Sequence, residues 1–508
     1  MRRPNVLTAG VLALASCGGG GKTGPDSGTP GGVRLGVIGT GQSLSVGAAS
    51  NGLVFTTPSA SSLKLSLGAR AMSWPIDATD PELSLAPLAE PIRPINTTTF
   101  SAPYPINIYG ETFHTAMAMQ VDAINQAGDG ALATVHSVLG QGDSSITVIQ
   151  KNGTGNAYAA SLFEATALTR LVAAAGARYE VGAVILTHGE KDAELPSYED
   201  DIARLQSDYE QDLQAITGQA RSIPLIVTQQ HADPVTGRST STIAAWKAGV
   251  DHPGKIFCAG PKYQYAYAGD HIHLLAGQYD RLGIKYGEVF NEVVVRGNDW
   301  QPLQPVEVAR DAQTITVRFH VPNPPLAWDE VFGAPHQFVH AAWKNGRGFE
   351  IEDGQGEVTI TDAVIDGDTV RIGIDRVPDT TSAPLVLRYA TTQDATQLAG
   401  GLVSGRFGQL HDSDPLVGVD SVEFDCNMTT GSTAVTAATA GAFMMRTAHD
   451  MVDVVGGGAG LAADTAVVAL NPSNMSLSNP WTGATGPARL RFRANQWNYA
   501  VAFELTVP

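Results

Sequence analysis

Two stretches of this 508-residue chain have residue types and spacing that fit covalent chemistry: Gly41-Gln42-Ser43 and Asp270-His271-Ile272-His273. The first follows an apolar run at 33–38. A short buried strand there would carry the Ser43 hydroxyl to the mouth of a sheet, where open α/β folds bind their ligands. A serine hydroxyl attacks only when a base takes its proton. An Asp three residues before a His can orient one imidazole nitrogen while the other accepts that proton. Ser43, His273 and Asp270 thus supply nucleophile, base and orienter.

Such a nucleophile also needs donors for the oxyanion it creates, at the carboxyl ends of neighbouring strands. The N–H of Ser43 itself is one. Gly140-Gln141-Gly142-Asp143-Ser144-Ser145 follows an apolar run ending at residue 139, and the N–H of Gly142 is the expected donor, with Gly140 as the alternative. Thr187-His188-Gly189-Glu190-Lys191-Asp192 follows a run ending at 186, and His188 is expected to donate from its ring. Gln42, Glu190 and Asp192 are expected around the triad, bracing its loops. His271 is one residue off the spacing and should point away in an extended stretch. Ser45 is a weaker nucleophile candidate. His114, after Gly110-Glu111-Thr112, reads as part of a helix start. No Cys/His cluster has zinc spacing and no glycine-rich loop has the phosphate-binding pattern, so neither metal nor cofactor is expected.

The elements that must hold these groups follow from hydrophobic periodicity. Short apolar runs at 33–38, 135–139, 181–186, 223–227 and 256–258 read as strands. Between them lie helical patterns: Ile202, Leu205, Tyr209, Leu213 and Ile216 recur at three and four residues. Ser197, with Asp200 three positions on, is the expected cap of that helix. Leu282, Tyr286, Val289, Phe290 and Val293 form another stripe after His273. Apolar strands alternating with amphipathic helices predict an α/β fold, a parallel sheet covered on both faces. Residues 51–105 break the rhythm and read as a long insertion near the mouth of the site.

Beyond residue 298 the pattern becomes two-residue alternation: Ile315, Val317, Phe319, Val321, then Val370, Ile372, Ile374. Asp366-Gly367 is a hairpin signal. Runs at 385–389, 490–492 and 500–507 look like further strands. An all-β region of one or two sandwich-like domains is therefore expected over 298–508; the biased stretch 429–443 has no clear place in it.

The first residues bear on location. Met1-Arg2-Arg3, an apolar stretch too short to span a bilayer, and Leu14-Ala15-Ser16-Cys17 read as a bacterial lipoprotein signal over 1–17, with Cys17 carrying the lipid. Residues 18–32 read as a glycine-rich tether. The chain is then expected in the cell envelope, exported and bound to a membrane through its lipid. The net charge of −18 argues against nonspecific nucleic-acid binding. Cys258 and Cys426 read as buried thiols, with a disulfide between them as the alternative.

In this order the four blocks resemble those of the SGNH/GDSL hydrolase superfamily, in the branch of carbohydrate acetylesterases and sialate O-acetylesterase-like proteins. That branch carries Gly-Gln-Ser at the nucleophile, a glycine turn, His-Gln-Gly-Glu-x-Asp and Asp-x-x-His. The resemblance covers roughly 33–297, and Val386-Leu387-Arg388-Tyr389-Ala390 is similar to a motif of the sialate esterase-like proteins. It implies a flavodoxin-like parallel sheet sandwiched by helices. It also implies a serine esterase acting through an acyl-enzyme on small acyl groups, most plausibly acetyl on a glycan. His188 departs from the pattern, because Asn or Gln usually holds that oxyanion position. Trp74 and Tyr104 can stack on a sugar or simply pack. A lipase or thioesterase on the same scaffold, and a degenerate carbohydrate-binding surface lipoprotein, are the alternative readings.

Overall fold

The computed structural model describes residues 32–50, 53–68, 77–93, 104–105, 110–126, 132–329, 334–397, 400–401, 404–419 and 495–508, and the backbone of strands between 422 and 493. Cys17, the leader, the tether up to residue 31, Trp74 and most of 429–443 lie outside the described residues, as does the Cys426 side chain.

Seven strands form the first sheet: β1 (Val33–Gly41), β2 (Leu63–Ser66), β3 (Ser84–Pro87), β4 (Thr134–Val138), β5 (Arg178–Thr187), β6 (Leu225–Val227) and β7 (Ile256–Cys258). Their order is β3-β2-β4-β1-β5-β6-β7, and every pairing is parallel except that of β2 with β3. The chain goes from β1 to one side of it for β2, β3 and β4, then crosses to the other side for β5, β6 and β7. The carboxyl ends of β1 and β5 therefore flank the point where the connections diverge, which is where a doubly wound sheet opens a crevice.

Six helices cover it: α1 (Phe113–Gln126), α2 (Ile146–Ile149), α3 (Ala157–Ala174), α4 (Tyr198–Thr217), α5 (Thr240–Asp251) and α6 (Ala276–Phe290). Side chains alternate across each strand, so one strand feeds two cores. Leu35, Val37, Ala183 and Ile185 pack with Phe113 and Met117 of α1 and Leu282 and Tyr286 of α6. Ile38, Val184 and Leu186 pack on the other face with Leu168 of α3 and Leu205 and Tyr209 of α4. Truncating one such buried Leu to Ala costs about 2–5 kcal/mol. Ser197 does sit at the N-cap of α4, but its hydroxyl donates to Asp201 Oδ2 at 2.8 Å and caps no amide.

Within 51–105, read from composition as a long insertion, two described segments are strands of the sheet. Leu63–Ser66 and Ser84–Pro87 extend the sheet beyond β4. Four-residue strands among Ser and Pro leave too short a period to read. Buried carboxyls tie this segment to the start of α1. Glu111 accepts the N–H groups of Val54 (2.5 Å) and Phe55 (3.4 Å), and Glu90 accepts the hydroxyls of Thr112 (2.6 Å) and Thr115 (3.2 Å). Burial, then the charge of Glu111, raises the Glu90 carboxyl from 4.5 to about 8. The folded chain thus holds this proton more tightly than the unfolded chain does, and stability falls as pH rises between about 4.5 and 8. Glu90→Gln is expected to flatten that fall, by up to ~1.4 kcal/mol per pH unit, in urea denaturation at pH 5, 6.5 and 8. An unchanged pH dependence would refute the assignment.

After residue 300 the described strands are antiparallel. Gln304–Asp311, Thr314–His320, Ile360–Asp366 and Thr369–Ile374 form one four-stranded sheet, in which Asp366 pairs with Thr369 and Gly367 turns with φ +65°. Phe349–Asp353, Gly356–Glu357, Leu385–Tyr389 and Phe503–Val507 form another. Seven strands between Val422 and Arg493 form a third. The second sheet docks on the α/β layer through Gln229, whose Nε2 donates to the Ala502 carbonyl and whose Oε1 accepts the Ala502 N–H, both at 2.8 Å. Tyr263 Oη donates to the Ala500 carbonyl at 2.6 Å beside them. Cys258 is a free, buried thiol that burial pushes up to about 12. No helix among the described residues is long and apolar enough to cross a membrane.

Candidate active site

Ser43 is held by the way β1 ends. Gly41 pairs with Thr187 at the end of β5 and has φ +133°. A methyl group on Gly41 would overlap the Thr187 carbonyl, which instead accepts the Gln42 N–H at 3.2 Å. The chain then folds into a single tight turn, Ser43–Val46, closed by Gly47 in the left-handed region (φ +74°). The first N–H of such a turn has no carbonyl behind it to bond, which leaves the Ser43 amide for a ligand. Ser45 is buried and its hydroxyl donates to the Gln42 carbonyl at 2.6 Å, so it serves the turn and is not a nucleophile.

His273 reaches Ser43 from the loop before α6. Its Nε2 lies 2.8 Å from Ser43 Oγ, and its Nδ1 lies 2.7 Å from Asp270 Oδ2. Asp270 Oδ1 accepts the N–H groups of Ile272 and His273, both at 3.0 Å. His271 is what folds the loop this tightly. It adopts φ +57° and donates its N–H to the Ala268 carbonyl at 2.9 Å, so the stretch is a turn and not an extended segment. Burial raises the Asp270 carboxyl, but the bonds from the His273 ring and the two amides outweigh it and hold the group below its usual range. Asp270 therefore stays ionised, and His273 carries its ring proton on Nδ1 with a lone pair on Nε2 facing the serine. Side-chain exposures of 20% for His273 and 43% for Asp270 leave the pair reachable from solvent.

His188 corrects the sequence expectation. The ring is fully buried; its Nε2 lies 2.9 Å from the Ser144 carbonyl and its Nδ1 2.9 Å from Tyr198 Oη. A carbonyl only accepts, so Nε2 must carry the proton, and Nδ1 then accepts from the tyrosine. Burial also holds the ring below its usual range, and hence neutral, against the opposing pull of Asp192. With both nitrogens spent, His188 has no N–H left for an oxyanion. It props the 140–145 turn instead. The sequence resemblance located the residue in the correct loop but gave no sign of Tyr198, ten positions on in α4.

The remaining residues brace these loops. Gln42 Oε1 accepts the Lys191 N–H at 3.1 Å. Asp192 Oδ2 accepts the Ile146 N–H at 2.6 Å. Glu190 Oε1 pairs with Lys262 Nζ at 2.6 Å, both side chains buried. Breaking such a pair costs about 3–5 kcal/mol. Lys262 escaped sequence reasoning because a lone lysine after a strand looks solvated until its partner, 72 residues away, is known. Gly140 packs so closely on Ser45 that a side chain there would collide with the Ser45 hydroxyl. Its neighbour Gln141 donates its N–H to the Gly41 carbonyl at 2.9 Å, which brings the turn holding Gly142 alongside the end of β1. His114 and Tyr104 stay out of the site. His114 is buried behind Gly39 with Nδ1 3.0 Å from His136 Nδ1, and Tyr104 is buried with its hydroxyl on Glu164 Oε1 at 2.6 Å.

Ser43 and His273 open into a cleft of about 730 Å³. Residues 190–196 after β5, Asp143, Asp233-Pro234 and Ile272 form its walls. None of the described residues of 51–105 lines it. Among the described residues no group of three or more His, Cys, Asp or Glu side chains is placed to hold a metal ion.

No protein-family model and no curated protein matches the sequence. Among solved structures, the chain resembles a carbohydrate acetylesterase from Xanthomonas citri at 15% identity and TM-score 0.42, over 74% of this chain and 77% of that one. It also resembles NanS at 10% identity and TM-score 0.31, over 53% of this chain and 98% of that one. A carbohydrate acetylesterase from Sinorhizobium meliloti is similar at 15% identity and TM-score 0.24, over 50% and 97%.

Proposed function

We propose that this chain is a serine esterase that removes small acyl groups, acetyl foremost, from carbohydrate. The observation that carries the reading is the unbroken relay Ser43 Oγ–His273 Nε2, His273 Nδ1–Asp270 Oδ2, at 2.8 and 2.7 Å, on the edge of an open cleft. Ser43 attacks the ester carbonyl as His273 takes its proton. The tetrahedral oxyanion is received by the N–H groups of Ser43 and Gly142. His273 returns the proton to the leaving alcohol, and water then hydrolyses the acyl-enzyme by the same route. The carboxylate-lined cleft offers little to a long alkyl chain, which disfavours the lipase alternative.

The test is covalent capture. A fluorophosphonate should inactivate the protein with one equivalent bound, and peptide mapping should find it on Ser43. Labelling elsewhere, or none with active reagent, would overturn the assignment.

The proposal extends to location. Leu14-Ala15-Ser16-Cys17 supports cleavage before Cys17 and lipidation of its thiol. Because stable anchoring takes more than one acyl chain or signal, Cys17→Ser is expected to move the chain from the membrane fraction to the soluble one. An unchanged distribution would rule out the anchor.

A further inference from the structure

We propose that the cleft selects by charge: it takes acyl esters of neutral or ammonium-bearing sugars and turns away those that carry a carboxylate. This rests on the esterase reading above and adds the substrate class to it. Among the described residues five carboxylates line the cleft, those of Asp143, Glu190, Asp192, Glu194 and Asp233, and Lys191 is the one cation. Lys191 is spent on Asp143, 2.7 Å away at the rim. Behind the walls stand two more cations. Lys262 is bound to Glu190, and Arg406 is buried, giving its Nη2 to the carbonyls of Pro234 and Gly237 while its charge acts on Asp233. Counting all three cations, the cleft keeps a surplus of two negative charges.

Glu190 adds to this field from within the wall. Glu190 is buried, its Oε1 is taken by Lys262, and among the described residues its Oε2 meets no donor. That oxygen is sealed from solvent, so its charge acts on a group in the cleft through its field and not by direct contact. A carboxylate placed there would face Glu190, Glu194 and Asp233 with no free cation among the described residues to answer it. Like charges in a partly desolvated cleft repel far more than in bulk water.

Three acetates of one shape test this: phenyl acetate, 3-acetoxybenzoate and 3-(trimethylammonio)phenyl acetate, each kcat/KM divided by the hydroxide-catalysed rate. At low ionic strength the anion is expected at least about five-fold below phenyl acetate, and the cation at or above it. Added salt should raise the anion, lower the cation and leave phenyl acetate in place. Converting Glu194→Gln together with Asp233→Asn should raise the anion-to-neutral ratio by roughly three-fold or more. Equal corrected rates for the three esters at low salt would overturn the charge selection. No turnover of phenyl acetate would instead overturn the esterase reading. The salt series needs only the unaltered chain, so poor folding of the double variant leaves the test decisive.

Discussion

Ser43→Ala is expected to lower kcat/KM for an aryl acetate by about 10⁴-fold or more while leaving the melting temperature within a few degrees of the parent. The Oγ atom is the only group of Ser43 that the relay uses, and it lies 2.8 Å from His273. The turn is closed without it, by the Ala48 N–H on the Ser43 carbonyl at 3.1 Å and by the Ser45 hydroxyl on the Gln42 carbonyl. Alanine therefore removes the proposed nucleophile and keeps the fold. Any residue of activity would reflect oxyanion donors acting on a bound water. Activity within ten-fold of the parent would rule out Ser43 as nucleophile.

Asp270→Asn should be nearly as damaging, with about 10²- to 10⁴-fold lost from kcat. The carboxylate does two things at once. Oδ2 accepts from the ring, which fixes the tautomer, and Oδ1 accepts two backbone amides, which fixes the loop. An Asn amide can keep its oxygen on the backbone N–H groups, so the loop survives. Its NH2 then faces His273 Nδ1 as a donor and favours the tautomer that carries the proton on Nε2, where it can no longer accept from serine. The loss should therefore fall on kcat more than on KM. A variant with near-parent kcat would show that Asp270 only shapes the turn.

The proposed relay was legible in the sequence because it is local. A strand that ends in Gly-Gln-Ser, and an Asp three residues before a His, carry the roles proposed for them within a few residues of chain. The 3.6- and two-residue periods likewise announce the helices and the parallel strands, since burial repeats along each element. Even His188 was placed in the right loop. What sequence could not reach were relations between distant segments. Which nitrogen of His188 carries a proton depends on the Ser144 carbonyl, 44 residues away, and on Tyr198. The pairing of Glu190 with Lys262, the sheet strands hidden in 51–105 and the sign of the cleft's charge arise the same way. Each is set by segments that meet only after the sheet has ordered its strands. Residue types and spacing determined that Ser43, His273 and Asp270 can form a relay; the pairing of β1 with β5 decided which neighbours complete it, because proton positions and fields depend on distance in space and not along the chain.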